Sequence, residues 1–439
     1  MEINSENHIA GSRGHDQPSL PEAVDVVIIG AGIVGSAAAY QLSRRGQRVL
    51  LLDKGAVAAE QSGRNLGFIR QQGRDSVELP LALASTRLWR TMTTELDADI
   101  EWVPGGNLAL ATNDSDAERY RDWARVGSEF GLDTRTLTMS QVQELVPGIP
   151  SNWVLGLFTP SDGHADPIKA TAALAAGAVR AGAKLVTGCV VNRIIQSGGR
   201  VVGVETERGR VRSDVVVCAA GIWSHRLLAS VGVDLPQRVV RNTLLVTEPV
   251  EPITKTGIWT RQLAFRQTVA GKLVLSSSRS DVDVDLNSLR HLRIFFPMYL
   301  ANRKRLRLRF RPRALRSLLP LKSSAAYQES EPPITASDVR SNILRMESWF
   351  PRLAPLRLDR AWAGLIDGTA DAVPVLDALD RPHGLIIATG QSGHGFALGP
   401  IFGVLVADLV TRGKTDFDLQ PMRLARFAEG SYGKPKSLI

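Results

Sequence analysis

"VDVVIIGAGIVGSAAAYQLSRRGQRVLLLDKG", residues 24–55, is the stretch that decides the fold of this chain. Val24–Ile29 is rich in β-branched residues, as a buried parallel strand should be. A glycine turn follows, and then a helical stretch from Ser36 to Arg45 that Gly46 ends. A second strand closes on Asp53. This succession of strand, turn, helix, strand and acid predicts a unit that binds a dinucleotide.

Each glycine of the turn has its own physical task. Gly30 allows the tight turn, Gly32 lets the backbone approach the pyrophosphate, and Gly35 lets the helix pack on the strand. The helix N-terminus then faces the phosphates. Asp53 lies 23 positions after Gly30, which is close to the spacing expected for a carboxylate on the adenosine ribose.

Two later segments repeat the pattern of a strand followed by small residues and a helix. They are "SDVVVCAAGIWSHRLL" (213–228) and "HGLIIATGQSGHGFALGPIFGVLVADLV" (383–410). The helix that begins near Gly393 could stabilise the negative charge on a reduced flavin ring. A simple NAD-linked dehydrogenase has no need of such a terminal element, so FAD is favoured over NAD, which is kept as the alternative.

Composition narrows the class of protein. The 439 residues are enough for two domains, and two cysteines without a C-x-x-C pattern fit a reducing cytoplasm. The formal charge is +9, but residues 286–328 hold eleven Lys or Arg and no acid, which leaves about −2 for the rest. This distribution argues against a general nucleic-acid binder. We expect no signal peptide, no membrane-spanning run and no metal site.

The predicted fold class is α/β. It has a discontinuous Rossmann-like FAD-binding domain, an α+β substrate domain with a large mixed or antiparallel sheet, and a basic helical insertion. Residues 1–21 are predicted to be a disordered lead-in. The FAD domain is assigned to 22–94, 157–232 and 359–432, the substrate domain to 95–156, 233–285 and 323–358, and the two-helix insertion to 286–322.

Over nearly its whole length the chain resembles the D-amino-acid oxidase superfamily of FAD enzymes, in its glycine oxidase and sarcosine oxidase branch. The resemblance rests on the opening glycine turn, "SGRNLGFIR", "DGHADP", "VVVCAAGIWS", "RAWAGLIDGTADAVPVLD" and "ATGQSGHGF", which occur in family order. It implies oxidation of a carbon–nitrogen bond beside a carboxylate by hydride transfer to the flavin, followed by imine hydrolysis.

The resemblance also implies a noncovalent FAD, because Gly364 stands where sarcosine oxidases carry the cysteine that is joined to the flavin. The residues that would bind the cofactor are Gly30, Gly32, Ile33, Val34, Gly35, Asp53, Lys54, Ser62, Arg64, Asn65, Leu66, Gly67, Val191, Ala220, Gly221, Trp223, Gly364, Gly393, His394, Gly395 and Phe396.

Three residues are candidates for the reaction itself. Arg70 matches the sarcosine oxidase arginine that grips the substrate carboxylate, and an arginine fork suits that task. Arg266 could face the flavin or solvent, and His394 is expected to touch the flavin rather than act as a base. His164 is interpreted as structural. An obligatory catalytic base is not expected.

Three residues depart from the family pattern. Ile366 and Asp367 stand where glycine oxidase has a carboxylate-binding arginine, and Ala397 replaces a sarcosine oxidase lysine. Simple D-amino acids therefore become less favoured, and a secondary amine such as an N-substituted glycine, for example sarcosine or iminodiacetate, is expected.

The segment 289–324 is the least like the family, because apolar residues are followed by alternating Arg, Lys, Leu and Phe. It suits either an anionic membrane surface or an amphipathic hairpin packed on its own domain. In the first case the protein would be a dehydrogenase for a D-amino acid or proline-type substrate that passes electrons to quinone at the inner face of the membrane. In the second it would be a cytoplasmic oxidase that uses O2. A non-enzymatic membrane or nucleic-acid adaptor is the weakest alternative.

Overall fold

A computed structural model describes residues 19–277, 279–303, 306–310 and 332–434. The strands are β1 (Val26–Ile29), β2 (Val49–Leu52), β3 (Phe68–Ile69), β4 (Asn107–Ala111), β5 (Arg135–Leu137), β6 (Leu155–Thr159), β7 (Gly163–His164), β8 (Lys184–Val186), β9 (Val191–Ser197), β10 (Arg200–Thr206), β11 (Gly209–Arg212), β12 (Val215–Cys218), β13 (Arg238–Pro249), β14 (Gly257–Thr260), β15 (Leu263–Gln267), β16 (Lys272–Ser277), β17 (Ser280–Val284), β18 (Leu306–Phe310), β19 (Leu358–Gly368), β20 (Val375–Ala378) and β21 (Leu385–Thr389).

The helices are α1 (Ile33–Arg44), α2 (Leu79–Leu96), α3 (Asp114–Glu129), α4 (Met139–Leu145), α5 (Pro167–Arg180), α6 (Ser224–Ala229), α7 (Leu286–Arg290), α8 (Leu292–Asn302), α9 (Ala336–Trp349), α10 (Gly395–Arg412) and α11 (Arg426–Glu429). Short 3-10 turns occupy Gln61–Gly63, Gly221–Trp223, Pro351–Leu353 and Gln420–Met422.

A six-stranded sheet in the order β20-β21-β12-β1-β2-β8 forms the first layer of the fold. Its strands are parallel except β20, which runs antiparallel to β21. β1 and β2 are buried along their whole length because apolar clusters cover both faces of the sheet. This agrees with the predicted doubly wound sheet, in which strands from distant parts of the chain lie side by side.

α10 packs against α1 and α2 on one face of this sheet. The contact with α1 is close, because a Cβ at Gly399 would lie 2.4 Å from Ile33 and one at Gly403 would lie 2.5 Å from the Ala37 backbone. Among the described helices, α10 is the one that is long and apolar enough to span a bilayer, but 67% of it is buried inside the protein. We therefore interpret it as a core helix.

A ten-stranded mixed sheet forms the second layer. Its order is β18-β17-β13-β16-β15-β14-β4-β6-β5, and β19 pairs with β13. One face packs on α4 and α9 through a large apolar cluster. The other face turns toward the six-stranded sheet, and the two-stranded ladder of β3 and β7 lies near the place where the layers meet.

Two strands cross the predicted domain boundaries. β19 was placed with the FAD domain, but it pairs with β13 from Arg238↔Gly368 to Thr247↔Leu358 and so belongs to the large sheet. β6 begins before residue 157 and also belongs to that sheet. The predicted boundaries at residues 157 and 359 are therefore wrong. Local composition does not indicate which distant segments pair as strands. The division into domains otherwise stays a prediction.

The basic insertion also differs from the predicted pair of helices joined near residues 301–305. α7 and α8 meet at His291, and residues 306–310 form β18, parallel to β17. The alternation Leu-Arg-Leu-Arg-Phe has the period of a strand. Arg307 binds buried Asp281 at 2.7 Å and Asp338 at 2.6 Å, which holds β18 on the sheet. The predictions for residues 1–18 and 311–322 fall outside the described residues.

Candidate active site

The glycine turn between β1 and α1 is built as the sequence predicts. A Cβ at Gly35 would lie 1.9 Å from the Gly30 carbonyl oxygen, so only glycine allows this approach. The Asp53 carboxylate accepts hydrogen bonds from Ala31 N at 2.6 Å and from Gly55 N at 2.8 Å. Burial raises the pKa of Asp53. The acid at the end of β2 is therefore fixed against the turn.

One large cavity begins at this turn. Together with the open solvent at its mouth it encloses about 1170 Å³, and it runs past Asp53 to the second glycine turn at Gly393. Fifteen of the predicted cofactor residues line it: Gly30, Gly32, Ile33, Val34, Asp53, Lys54, Ser62, Asn65, Val191, Ala220, Gly221, Trp223, Gly393, Gly395 and Phe396. Segments separated by more than 300 residues thus share one elongated cavity, as an extended dinucleotide requires.

The other six predicted cofactor residues do not line the cavity. Gly35 serves packing, and a Cβ at Gly364 would lie 2.7 Å from the Arg64 carbonyl oxygen. Gly67 has a positive φ and its Cβ would lie 2.2 Å from the Ala165 carbonyl oxygen. The remaining three are Arg64, Leu66 and His394. The predicted contact of these six residues with the cofactor stays a prediction.

The cavity wall also contains polar residues that sequence reasoning missed. Asp367 accepts hydrogen bonds from Gln61 Nε2 at 2.9 Å, from Gly390 N at 2.8 Å and from Thr389 Oγ1 at 3.3 Å. Burial raises the pKa of Asp367 to about 6. Asp367 lies within the motif "RAWAGLIDGTADAVPVLD" and Gln391 within "ATGQSGHGF". Gln61 lies in none of the motifs that carry the family resemblance. The Asp367 carboxylate ties three distant segments together at the second glycine turn.

The pairing of strands in the large sheet shows on which face Arg266 lies. Residues that are paired across neighbouring strands point to the same face of a sheet. Leu244 of β13 pairs with Trp362 of β19 and with Ser276 of β16, so these three side chains share one face. Ser276 in turn pairs with Ala264, two residues before Arg266. Arg266 therefore projects from the face opposite the apolar cluster around Phe265.

Arg266 is buried, and its Nε donates to the Leu66 carbonyl oxygen. No described carboxylate lies within ion-pair distance of its guanidinium. Burial lowers the pKa of Arg266 to about 10, so it remains charged near neutral pH. His164 lies close enough to feel this charge. Burial and Arg266 lower the pKa of His164 to about 3, and its Nε2 contacts the Lys255 carbonyl oxygen at 3.1 Å. The neutral imidazole is consistent with the structural interpretation of His164.

Arg70 and His394 belong to a second buried polar group. Arg70 is 7% exposed, and within the described part of the chain its guanidinium makes no hydrogen bond or ion pair. His394 Nδ1 contacts Glu78 Oε1 at 2.8 Å. Burial lowers the pKa of His394, and the charges of Arg74 and Arg70 lower it further. His394 also directly precedes α10, between Gly393 and Gly395, which both line the cavity.

The three residues predicted to take part in the reaction are thus all buried. The charge of Arg70 lowers the pKa of His394, whereas neither residue is among the charges that shift the pKa of Arg266. Burial lowers the pKa of Arg70 to about 9, with Arg74 adding to the effect and Asp162 opposing it. A buried guanidinium without an acid partner is costly, and a bound carboxylate would offset that cost.

Comparison with known proteins identifies the architecture. The family model described as FAD dependent oxidoreductase, DAO, matches residues 25–409. Glycine oxidase of Geobacillus kaustophilus is 27% identical over 92% of this chain and 97% of its own length. Sarcosine dehydrogenase of mouse mitochondria is 29% identical over 55% of this chain, and the match spans only 27% of that protein. The structure of L-amino acid deaminase from Proteus myxofaciens is 26% identical, with a TM-score of 0.88 over 97% of this chain and 98% of that one.

The residues present fit FAD. The Asp53 carboxylate stands at the ribose end, Gly30 and Gly32 line the cavity where a pyrophosphate must approach, and the cavity continues to the start of α10. Ser62 also faces this turn, and its Oγ accepts a hydrogen bond from Ile33 N at 2.9 Å. The far end is lined by Leu365, Ile366, Gly393 and Phe396, which suit an aromatic ring system.

Proposed function

We propose, from the premise that the chain belongs to the DAO family of FAD-dependent oxidoreductases, that it oxidises the Cα–N bond of an N-substituted glycine, a class that includes sarcosine and iminodiacetate. The enzyme is an FAD-dependent oxidoreductase whose homologues act on the C–N bonds of amino acids. The substrate class and the electron acceptor are the parts that we propose.

The observation that carries the proposal is the buried guanidinium of Arg70, which has no acid partner among the described residues. A substrate carboxylate can accept two parallel hydrogen bonds from an arginine fork. Arg70 also lies close enough to His394, the residue before α10, to influence its pKa. A carboxylate bound there would place the α-carbon of the substrate toward the far end of the cavity, where the flavin ring would lie. We call this far end the ring end.

The ring end favours a neutral amine. Leu365, Ile366 and Phe396 line it, and their side chains cannot stabilise an ammonium ion. FAD, when bound, supplies the acceptor for the hydride of the α-carbon, and the resulting imine then hydrolyses in water. The protein's task is to fix the carboxylate, exclude water and keep the amine deprotonated. An N-alkyl substituent would be accommodated by the same apolar residues.

A second candidate substrate is a primary L-amino acid. It is favoured by the similarity to L-amino acid deaminase, whose TM-score of 0.88 extends over 97% of this chain. The two candidates differ in the amine that the ring end must accommodate. A neutral primary amine would place two N–H groups among apolar side chains, whereas a neutral secondary amine would place one.

We expect the purified yellow protein to be bleached anaerobically by sarcosine or iminodiacetate, because hydride transfer removes the visible absorption of oxidised flavin. Proline, D-alanine and L-phenylalanine would be added in separate cuvettes as the contrasting substrates. After acid precipitation, the flavin should remain in the supernatant, since neither Cys189, at the ribose end, nor buried Cys218 lies at the ring end.

Bleaching by L-phenylalanine alone would replace the secondary amine with the primary L-amino acid. A protein that stays colourless after FAD is added would contradict both candidates.

We further propose that α7 and α8 bind an anionic membrane surface and that the enzyme passes electrons to a membrane quinone. Leu289, Leu292, Phe296 and Leu300 are between 47% and 54% exposed. Three of them recur every four residues, so they share one helix face, and exposed Arg293 and Arg303 flank them. Phe295 is buried on an adjacent side of α8, which anchors the helix to the protein. Apolar anchors beside cations are typical of helices that lie on anionic lipid.

Sedimentation with lipid vesicles tests this surface. We expect the full chain to bind vesicles that contain phosphatidylglycerol and to bind pure phosphatidylcholine weakly. Substituting both Leu292→Ser and Phe296→Ser should reduce binding about 10- to 100-fold. Both side chains are already about half buried, so each would gain only about half of the 1.5–3 kcal/mol that full burial contributes. Leu344→Ser, at an equally exposed leucine on α9, is the matched control. Equal binding of both variants, or no preference for the anionic lipid, would refute membrane docking and leave a soluble oxidase that uses O2.

A further inference from the structure

Two side chains of α2 hold the first turn of α10. Ser85 Oγ donates a hydrogen bond to the Ala397 carbonyl oxygen at 2.6 Å, and Trp89 Nε1 donates to the same oxygen at 2.9 Å. All three residues are buried, so neither bond competes with water. The position of this turn is therefore fixed on α2 by two buried donors.

Two further contacts join the same two helices. Glu78, the residue before α2, meets His394, the residue before α10, with Oε1 and Nδ1 2.8 Å apart. The ring of Trp89 also packs on the ring of Phe396, and their centroids are 4.9 Å apart. Glu78, Ser85 and Trp89 follow one another at helical spacings of seven and four residues, so they share one face. That face of α2 supports the whole start of α10.

The supported turn borders the ring end of the cavity. Gly395 and Phe396 line the cavity there. Among the described residues, no group accepts a hydrogen bond from the backbone N–H of Gly395, Phe396 or Ala397, and no side chain caps the helix. These N–H groups carry the partial positive charge of the helix N-terminus, and its effect falls off within one turn. The charge felt at the ring end therefore depends on where this turn lies.

We infer that Ser85 and Trp89 are positioning residues, which raise the reduction potential of the bound flavin by holding the first turn of α10 at the ring. A reduced flavin ring carries more negative charge than an oxidised one, so a positive helix terminus stabilises the reduced ring more strongly. Without the two bonds to Ala397 the turn can move away from the ring. The reduced state then loses more stabilisation than the oxidised state.

The double variant Ser85→Ala, Trp89→Phe tests the assignment, because it removes both donors and keeps an aromatic ring against Phe396. We expect the affinity for reduced FAD to fall about 3- to 10-fold more than the affinity for oxidised FAD. This difference makes the two-electron midpoint potential more negative by about 15–30 mV. The potential is measured by anaerobic titration against a dye of known potential. No amino-acid substrate is present, so the outcome is independent of the proposed reaction.

Thr86→Val is the matched control on the same helix. Thr86 is also buried, and its Oγ1 donates to the Ala82 carbonyl oxygen at 2.9 Å within α2. The control thus loses a buried hydrogen bond of the same kind but no contact with α10. Both proteins should melt at a lower temperature than the wild type, because each loses buried hydrogen bonds. Only the double variant should shift the potential.

Ser85→Ala alone removes one donor and should give about half of the shift, so it replaces the double variant if that protein does not retain its flavin. A wild-type potential in these variants, or an equal shift in Thr86→Val, would overturn the inference. The bonds from α2 would then only stabilise the fold.

Discussion

Replacement of Gly35 by alanine is expected to abolish FAD binding. The added Cβ would lie 1.9 Å from the Gly30 carbonyl oxygen and 3.1 Å from the carbonyl carbon, both of which are backbone atoms. Neither the turn nor α1 can yield without moving the other, and their joint position forms the phosphate site. We expect the purified variant to be colourless and its FAD dissociation constant to rise by more than about 100-fold, equivalent to roughly 3 kcal/mol.

Gly368→Ala is the matched control for this change. A Cβ there would meet its nearest neighbour, the Arg238 carbonyl oxygen, at 3.5 Å, which is an ordinary contact. This variant should keep its flavin. Circular dichroism of Gly35→Ala would establish that the chain still folds. A folded Gly35→Ala protein that retains FAD at wild-type affinity would contradict the proposed phosphate site.

The second large effect is expected for Arg70→Met, which removes the guanidinium and keeps most of the apolar stem. The cation is buried and has no described acid partner, so the substrate carboxylate would be its main source of compensation. Two charge-assisted hydrogen bonds together contribute roughly 3–5 kcal/mol, so kcat/KM should fall about 10²- to 10³-fold. Most of the loss should appear as a higher KM, with the flavin spectrum unchanged.

Arg70→Lys refines the test, because lysine keeps the charge but loses the planar fork, and it should recover only part of the activity. Arg266→Met is the companion variant on the large sheet. If Arg266→Met raises KM while Arg70→Met leaves it unchanged, the carboxylate is bound by Arg266 and our assignment of Arg70 is wrong.

Much of the cofactor site could be predicted because its determinants are adjacent in the chain. The β-branched run, the glycine spacing and Asp53 lie within one stretch of 32 residues, and each obeys a local steric or electrostatic rule. The second glycine turn at Gly393 follows the same rule. The family resemblance named further residues that line the cavity, among them Ser62, Asn65 and Trp223, whereas Arg64, Leu66 and Gly67 are not among the lining residues.

The polar groups of the ring end depended on contacts between distant segments. Asp367 meets Gln61 across 306 positions, and Arg266 meets Leu66 across 200. No periodicity or composition reports such pairings. The strand at 306–310 was also missed, although its alternation was visible, because the surrounding charges were interpreted as helical.

By itself the sequence determined the doubly wound sheet, the phosphate turn and the acid at the ribose end, because local backbone geometry dictates each of them. Only the tertiary structure decided that Arg70 is buried without a described acid partner, and that Gln61 joins Asp367 to the Ile222 backbone in the cavity wall. The physical reason is that burial and hydrogen-bond satisfaction belong to the assembled fold, where residues hundreds of positions apart share the same desolvated space.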